Sequence, residues 1–327
     1  MRPSVLQGGR RRRRRLRPLL LLASLALVGG GLAAWQLWPE GGATEPAAAA
    51  KPAKDAVVVV RRVTPRRHIR PEALLAVRRP FLRLQGGIGA RAAILVDATA
   101  GTVLFAKRPH ARLPIASTTK IMTAVVALER LRPYDIVTVD RSVPRIAPFK
   151  EGLRAGERVP AWKLFYGLLL YSGNDTALAL AVGAAGSRAA FIRLMNEKAR
   201  RLGLRDTHFT SPSGVVDDGN YSSAWDLTAL TRYAMWNPRF RAVVRTKVKR
   251  VSWPAPTYAK VYVSKNRLLG SYPGADGVKT GWTTRAGHCL VASARRHGLR
   301  LIAVVLGSPD AYADARRLLD LGFRLRG

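Results

Sequence analysis

The sequence predicts a fold of the α/β (α+β) class: an antiparallel sheet fed by both ends of the folded region, with flanking helices and an inserted helical region. Three observations predict it. Two short runs rich in β-formers, 92–96 and 102–107, flank the turn Ala98-Thr99-Ala100-Gly101. Near the other end, runs 287–294 and 299–306 flank Arg295-Arg296-His297-Gly298, a second hairpin. Between the hairpins, apolar residues recur at helical spacing over 117–130, 161–170, 176–185, 188–202 and 225–236. A closing helix is expected over 310–321, with Asp310 as its N-cap.

The 327 residues are 48% hydrophobic and 23% charged, a globular composition with enough chain for a sizeable core. Lys+Arg 56 against Asp+Glu 20 gives a formal charge of +36, which taken alone points to nucleic acid or an anionic surface. Roughly two fifths of this excess lies within residues 1–85. There an unbroken run, Arg10 to Arg15, precedes a charge-free stretch, 19–38. As a helix that stretch reaches ~30 Å, the thickness of a bilayer's hydrocarbon core. Arginines on one side only place that side in the cytoplasm, and Trp35 and Trp38 fall where indoles prefer the far interface.

The expected organisation is a basic cytoplasmic segment (1–18), a transmembrane anchor or signal segment (19–38), a linker or stalk (39–85) and a folded domain (86–327). An uncleaved anchor is favoured. Cleavage at a small-residue site near Ala33 would instead release the domain. Because the folded domain then sits outside the cytoplasm, no nucleic acid is expected, and its remaining positive charge is assigned to anionic wall polymers and head groups.

Cys289 is the single cysteine, which excludes a disulfide scaffold and argues against zinc-ribbon or iron–sulfur chemistry. His68, His110, His208, His288 and His297 have no metal-ligand spacing, so neither a metal nor a cofactor is expected. His208 reads as structural, Cys289 as a small core residue on a strand, Asp217 and Asp218 as turn residues, and Arg200-Arg201 as a solvated helix end.

Three patterns carry chemistry. Ser117-Thr118-Thr119-Lys120 opens a helix, Ser172-Gly173-Asn174 follows an apolar helical run, and Lys279-Thr280-Gly281 sits in a strand. Residues three apart share a helix face, so Lys120 can reach the Ser117 hydroxyl. A serine becomes a good nucleophile only when a base takes its proton. A lysine serves as that base only if burial or a neighbouring cation such as Lys279 lowers its pKa. A helix N-terminus at Ser117 favours developing negative charge, and Gly281 leaves room for close backbone approach. Each pattern alone arises readily by chance; Ser264-Lys265-Asn266 also fits the second one and reads as accidental. The ordered triple, each member in its matching context, is what carries the argument.

This order, S-x-x-K then S-x-N then K-T-G, resembles the active-site set of penicillin-binding proteins and serine β-lactamases. The segments 114–123, Tyr171 to Asp175, 202–214 and 276–287 are similar to the D-alanyl-D-alanine carboxypeptidases, low-molecular-mass penicillin-binding proteins of the S11 peptidase family. The resemblance covers about 92–321 and implies a serine β-lactamase/DD-peptidase-like fold. It implies that Ser117 forms an acyl-enzyme with a D-Ala-D-Ala stem peptide of peptidoglycan, that Lys120 accepts the serine proton, and that Ser172 and Asn174 relay protons and position the amide. Lys279, Thr280 and Gly281 would bind the terminal carboxylate, and β-lactam inhibitors would acylate Ser117.

Only two strands and a helix are expected after Gly281, so the small all-β domain that many members carry is not expected, and the N-terminal segment would supply the anchoring. Three other readings stand beside the carboxypeptidase: a DD-endopeptidase on cross-linked peptides, a serine β-lactamase, and a non-catalytic basic wall-binding protein. The β-lactamase needs a deacylating glutamate, and after Asn174 the one glutamate is Glu197, on a helix face.

Overall fold

The computed structural model describes residues 76–77, 87–146, 149–215, 219–253 and 257–326, all in one compact unit. The segments 1–18 and 19–38, most of 39–85, and Asp217 and Asp218 lie outside the described residues. Among the described residues, no single helix is long and apolar enough to cross a membrane.

The chain first forms strands β1 (Ala76–Val77), β2 (Ala92–Asp97), β3 (Thr102–Lys107) and β4 (Leu113–Pro114). A 3-10 turn, Ala116–Thr119, leads into helix α1 (Lys120–Leu128), followed by β5 (Ile136–Thr138) and β6 (Arg158–Pro160). Helices α2 (Ala161–Tyr166), α3 (Asn174–Ala185) and α4 (Arg188–Arg201) follow, then β7 (Tyr221–Ser222), α5 (Ala224–Trp236) and α6 (Pro238–Val244). The chain closes with β8 (Val248–Val251), β9 (Lys260–Val263), β10 (Ala275–Thr283), β11 (Gly287–Arg296), β12 (Leu299–Ser308) and α7 (Ala311–Arg326).

Both expected hairpins form and share one sheet, in the order β1-β3-β2-β12-β11-β10. The last strand of the second hairpin pairs antiparallel with the first strand of the first, Leu301 opposite Asp97 and Leu306 opposite Ala92. One edge departs from the antiparallel expectation: Ala76–Val77, inside the segment read as a stalk, pairs parallel with β3.

All six residues of β2 are buried, because both faces of the sheet are covered. Ile94 and Val96 point with Ile302 and Val304 into the larger cluster, which contains Ile121, Met122 and Val125 of α1 and Leu227 and Leu230 of α5. Their alternate neighbours Leu95, Leu301, Ala303 and Val305 pack with Ala315, Leu318 and Leu319 of α7. Each fully buried aliphatic side chain contributes ~1.5–3 kcal/mol to holding these layers together.

Asp310 caps α7, accepting from the amides of Tyr312 at 3.1 Å and Ala313 at 3.0 Å. One turn on, buried Asp314 accepts from the amides of Gly89 and Ala90 and from the Ser308 hydroxyl. The start of regular structure near Gly89 is thereby tied to the last helix.

Two helical expectations differ in detail. The pattern over 161–170 is α-helical only to Tyr166; Gly167–Tyr171 widens into a π-type turn that ends on Ser172 in the left-handed region, φ 72°. The pattern over 117–130 begins as the 3-10 turn. Both irregularities sit at residues singled out above for chemistry.

Candidate active site

The turn bearing Ser117 is tightly made. The amide and hydroxyl of Thr118 both donate to the Ile115 carbonyl, at 3.1 and 2.6 Å, and Ala116 takes a left-handed φ of 46°. This sets Ser117 at the mouth of a cleft of about 280 Å³, lined also by Ser172, Asn174, Thr280, Gly281 and Lys265. Lys120, one turn in, is fully buried.

The lysine amine makes three polar contacts: Ser117 Oγ at 3.0 Å, Asn174 Oδ1 at 2.9 Å and the Ser213 carbonyl at 3.0 Å. Carbonyl and amide oxygens can only accept. A neutral amine therefore spends its two N–H bonds on Asn174 and Ser213, leaving its lone pair for the Ser117 hydroxyl. Burial, then the nearby charges of Lys279 and Lys265, push the Lys120 pKa well below the ordinary lysine range, against a smaller opposing pull from Asp175. The shift is toward the neutral base that the chemistry needs.

Lys279, on β10, is equally buried. Its amine donates to Ser172 Oγ at 3.0 Å and to the Thr280 carbonyl at 2.8 Å. Burial and then Lys265 bring its pKa down to about 7. Ser172 reaches it because the π-type turn and left-handed backbone swing the hydroxyl out of the helix line. Asn174 begins α3, its amide donating to the Phe149 carbonyl at 2.8 Å.

Asp175 anchors this loop from below, accepting from the amides of Gly152 and Leu153. Gly281 is where β10 passes the nucleophile turn: a Cβ there would stand 3.0 Å from both the Ile115 carbonyl oxygen and the Ser117 amide nitrogen. The three patterns converge: Ser117, Ser172, Asn174, Thr280 and Gly281 line the cleft, and the buried amines of Lys120 and Lys279 contact Ser117 and Ser172.

Two parts of the site were not foreseen. The first is the loop 210–214, noted only as similar text, which supplies the Ser213 carbonyl. Asn220 orders it, accepting from the amides of Thr210 and Ser211 and donating to Thr119 Oγ1 and the Ser211 carbonyl. Thr123 of α1 holds it from the other side through the Pro212 carbonyl at 2.6 Å. Gly214 closes it at φ 74°, where a Cβ would lie 2.1 Å from the Ala116 carbonyl oxygen. Gly214→Ala should therefore move Ser213 off Lys120 and slow penicillin acylation of Ser117 by on the order of tenfold or more. A stopped-flow acylation rate equal to that of the native protein would count against this role of the loop.

The second is Lys265. Ser264 and Asn266 lie off the cleft, so the S-x-N match there is accidental, yet the lysine between them lines the cleft. Its ammonium sits 4.7 Å from the centre of the Tyr171 ring and 5.4 Å from that of Phe149. Nothing in the one-dimensional pattern marks it.

Cys289 and His208 fall where expected, on a strand and at a structural bridge. Cys289 is buried on β11 and burial pushes its thiol up to about 11. His208 bridges to Tyr221 across a β-bridge. Among the described residues no group of His, Cys, Asp or Glu could hold a metal ion. Among the described residues no carboxylate lines the cleft, and Glu197 pairs with Arg201 on the exposed face of α4.

A buried serine–lysine pair on a helix under the edge strand of an antiparallel sheet defines an active-serine hydrolase of the DD-peptidase fold. The comparisons agree. The chain matches the family of D-alanyl-D-alanine carboxypeptidases, peptidase S11, over residues 80–310, and it belongs to that family. It is 38% identical over 273 residues to a D-alanyl-D-alanine carboxypeptidase of Streptomyces sp. strain K15, covering 76% of this chain and 90% of that one. To DacF of Bacillus subtilis it is 32% identical over 249 residues, 72% of this chain but 62% of the relative, so it spans under two thirds of that protein's length. The crystal structure of the Streptomyces K15 DD-transpeptidase superposes with a TM-score of 0.70 at 35% identity, covering 73% of this chain and 98% of that one.

Proposed function

We propose that the protein is a serine-type D-Ala-D-Ala carboxypeptidase that trims peptidoglycan stem peptides and binds penicillins at the same serine. The observation that supports it most is the 3.0 Å contact between Ser117 Oγ and a buried Lys120 whose other two partners can only accept.

In this reading, neutral Lys120 takes the Ser117 proton as Oγ attacks the carbonyl carbon of the penultimate D-Ala. The tetrahedral oxyanion forms beside the Ser117 amide, at the helix entrance. The proton passes to the leaving amine, helped by Ser172 and Asn174, and free D-Ala departs from the ester on Ser117. Lys279 and Thr280 hold the substrate's terminal carboxylate. Water then attacks the ester, giving a proton to Lys120, which passes it to Ser117 Oγ as the acyl–oxygen bond breaks and the trimmed peptide leaves.

A β-lactamase needs a carboxylate facing the acyl-ester to speed this last step. Behind the Ser172–Asn174 loop, Asp175 is taken up by the amides of Gly152 and Leu153 and Glu151 is held by Lys260 at 2.9 Å, so the penicillin ester is expected to persist. The segment 19–38 would hold this domain outside the cytoplasm.

Incubation with a pentapeptide and with cross-linked muropeptides, products identified by mass, tests the reading. Release of D-Ala from the pentapeptide supports it. Cleavage of cross-links alone would make the enzyme an endopeptidase, and no product from either would refute catalysis.

A further inference from the structure

Away from the catalytic cleft, four arginines from four elements converge on one concavity. Arg232 comes from α5, Arg241 from α6, Arg295 from β11 and Arg300 from β12. They line a cleft of about 410 Å³ together with Thr99, Trp236 and Gly298. Arg232 is buried, 8% exposed, beneath the 98–101 turn, where its Nε donates to the Ala98 carbonyl and a Cβ on Gly101 would stand 2.9 Å from its Nη2. Its Nη1 is buried and has no acceptor, and neither has Arg300 Nε.

Two carboxylates answer these charges. Asp276 Oδ2 accepts from Arg300 Nη2 at 2.6 Å, and Asp97 acts on Arg232. Arg241 feels Arg300, Arg245 and Arg295 as like charges, opposed by Asp276. Like charges held this close, with buried donors left over, cost stability unless an anion joins them.

We propose that this cleft is a binding site for a phosphoryl group, the guanidinium forks supplying the paired donors that a tetrahedral oxyanion accepts. Planar, permanently charged guanidinium groups suit phosphate oxygens better than point charges do. Trp236, half exposed at the rim, offers a flat apolar face to whatever carries the phosphate. The site is separate from the catalytic one: Asp276 lies three residues before Lys279 on β10, ~10 Å along the strand. Its ligand therefore need not be the peptide substrate, and the phosphodiesters of an anionic wall polymer or of a lipid head group both carry the required chemistry.

The test uses the melting temperature of the full chain. A ligand that binds only the folded state raises it, whereas the arginine run 10–15 binds phosphate without needing the folded cleft. Pyrophosphate, compared with chloride at equal ionic strength, should raise Tm by on the order of 3 °C. Arg241→Gln/Arg295→Gln, which leaves buried Arg232 and the Arg300–Asp276 pair intact, should lose that rise. The matched pair Arg154→Gln/Arg158→Gln, exposed elsewhere, should keep it.

Sedimentation with phosphatidylglycerol vesicles and with phosphate-bearing wall material then tells the two sources apart, as the one from which the cleft variant is released. No rise for the native protein, or equal loss in both variants, would overturn the proposal. Penicillin labelling of Ser117 stays unchanged in the cleft variant, so this outcome is independent of the carboxypeptidase reading.

Discussion

Replacement of Lys120 by arginine is expected to slow penicillin acylation of Ser117 by ~10³–10⁴-fold while leaving the protein folded. Arginine keeps donors toward Asn174 and the Ser213 carbonyl, but it stays charged where the proposed reaction needs a neutral amine and does not give up its proton near neutral pH. In the proposed reading the substitution removes the base and fixes a positive charge in a buried site. The larger guanidinium in a fully buried site costs ~1–3 kcal/mol of packing, so a melting curve must accompany the rate. A folded variant that acylates at the native rate would show that Lys120 is not the proton acceptor.

The second large effect concerns Lys279. Its folded pKa of about 7 lies below the ordinary lysine range, so its charge is present in acid and lost as pH rises through about 7. Lys120 must be neutral to act, so the activating limb rises with pH while the carboxylate-binding limb falls. kcat/KM for a D-Ala-D-Ala peptide should therefore fall on the alkaline side from near pH 7. Lys279→Arg, charged throughout, should abolish that alkaline limb. Lys279→Gln should raise KM by ~10–100-fold through loss of a charged hydrogen bond. An unchanged alkaline limb in the arginine variant would move the carboxylate contact elsewhere.

Periodicity and turn chemistry made much of this legible in the sequence. The two hairpins, the closing helix with its Asp310 cap and the convergence of Ser117, Lys120, Ser172, Asn174 and Lys279 all follow from local pattern plus one ordered triple of motifs. What was not legible is set by tertiary contact. The Ser213 carbonyl is a backbone group with no residue signature, delivered by Asn220, a residue a hundred positions from the Thr119 it touches.

Lys265 enters the site through its placement between two aromatic rings, and a lone lysine in a sequence announces no such thing. The π-type widening that turns out Ser172 was hidden because its residues, Gly167–Tyr171, keep the apolar character of an ordinary helix. The parallel edge strand Ala76–Val77 is two residues long, too short for any period to show.

The proposed reaction depends on acylation of Ser117 Oγ. The direct measurement is incubation of the native protein and of Ser117→Ala with a fluorescent penicillin, followed by peptide mapping of the adduct by mass. The expected result is a single adduct on the peptide carrying Ser117, absent from the alanine variant although that variant melts as the native protein does. An adduct on another residue, or label retained by Ser117→Ala, would contradict it.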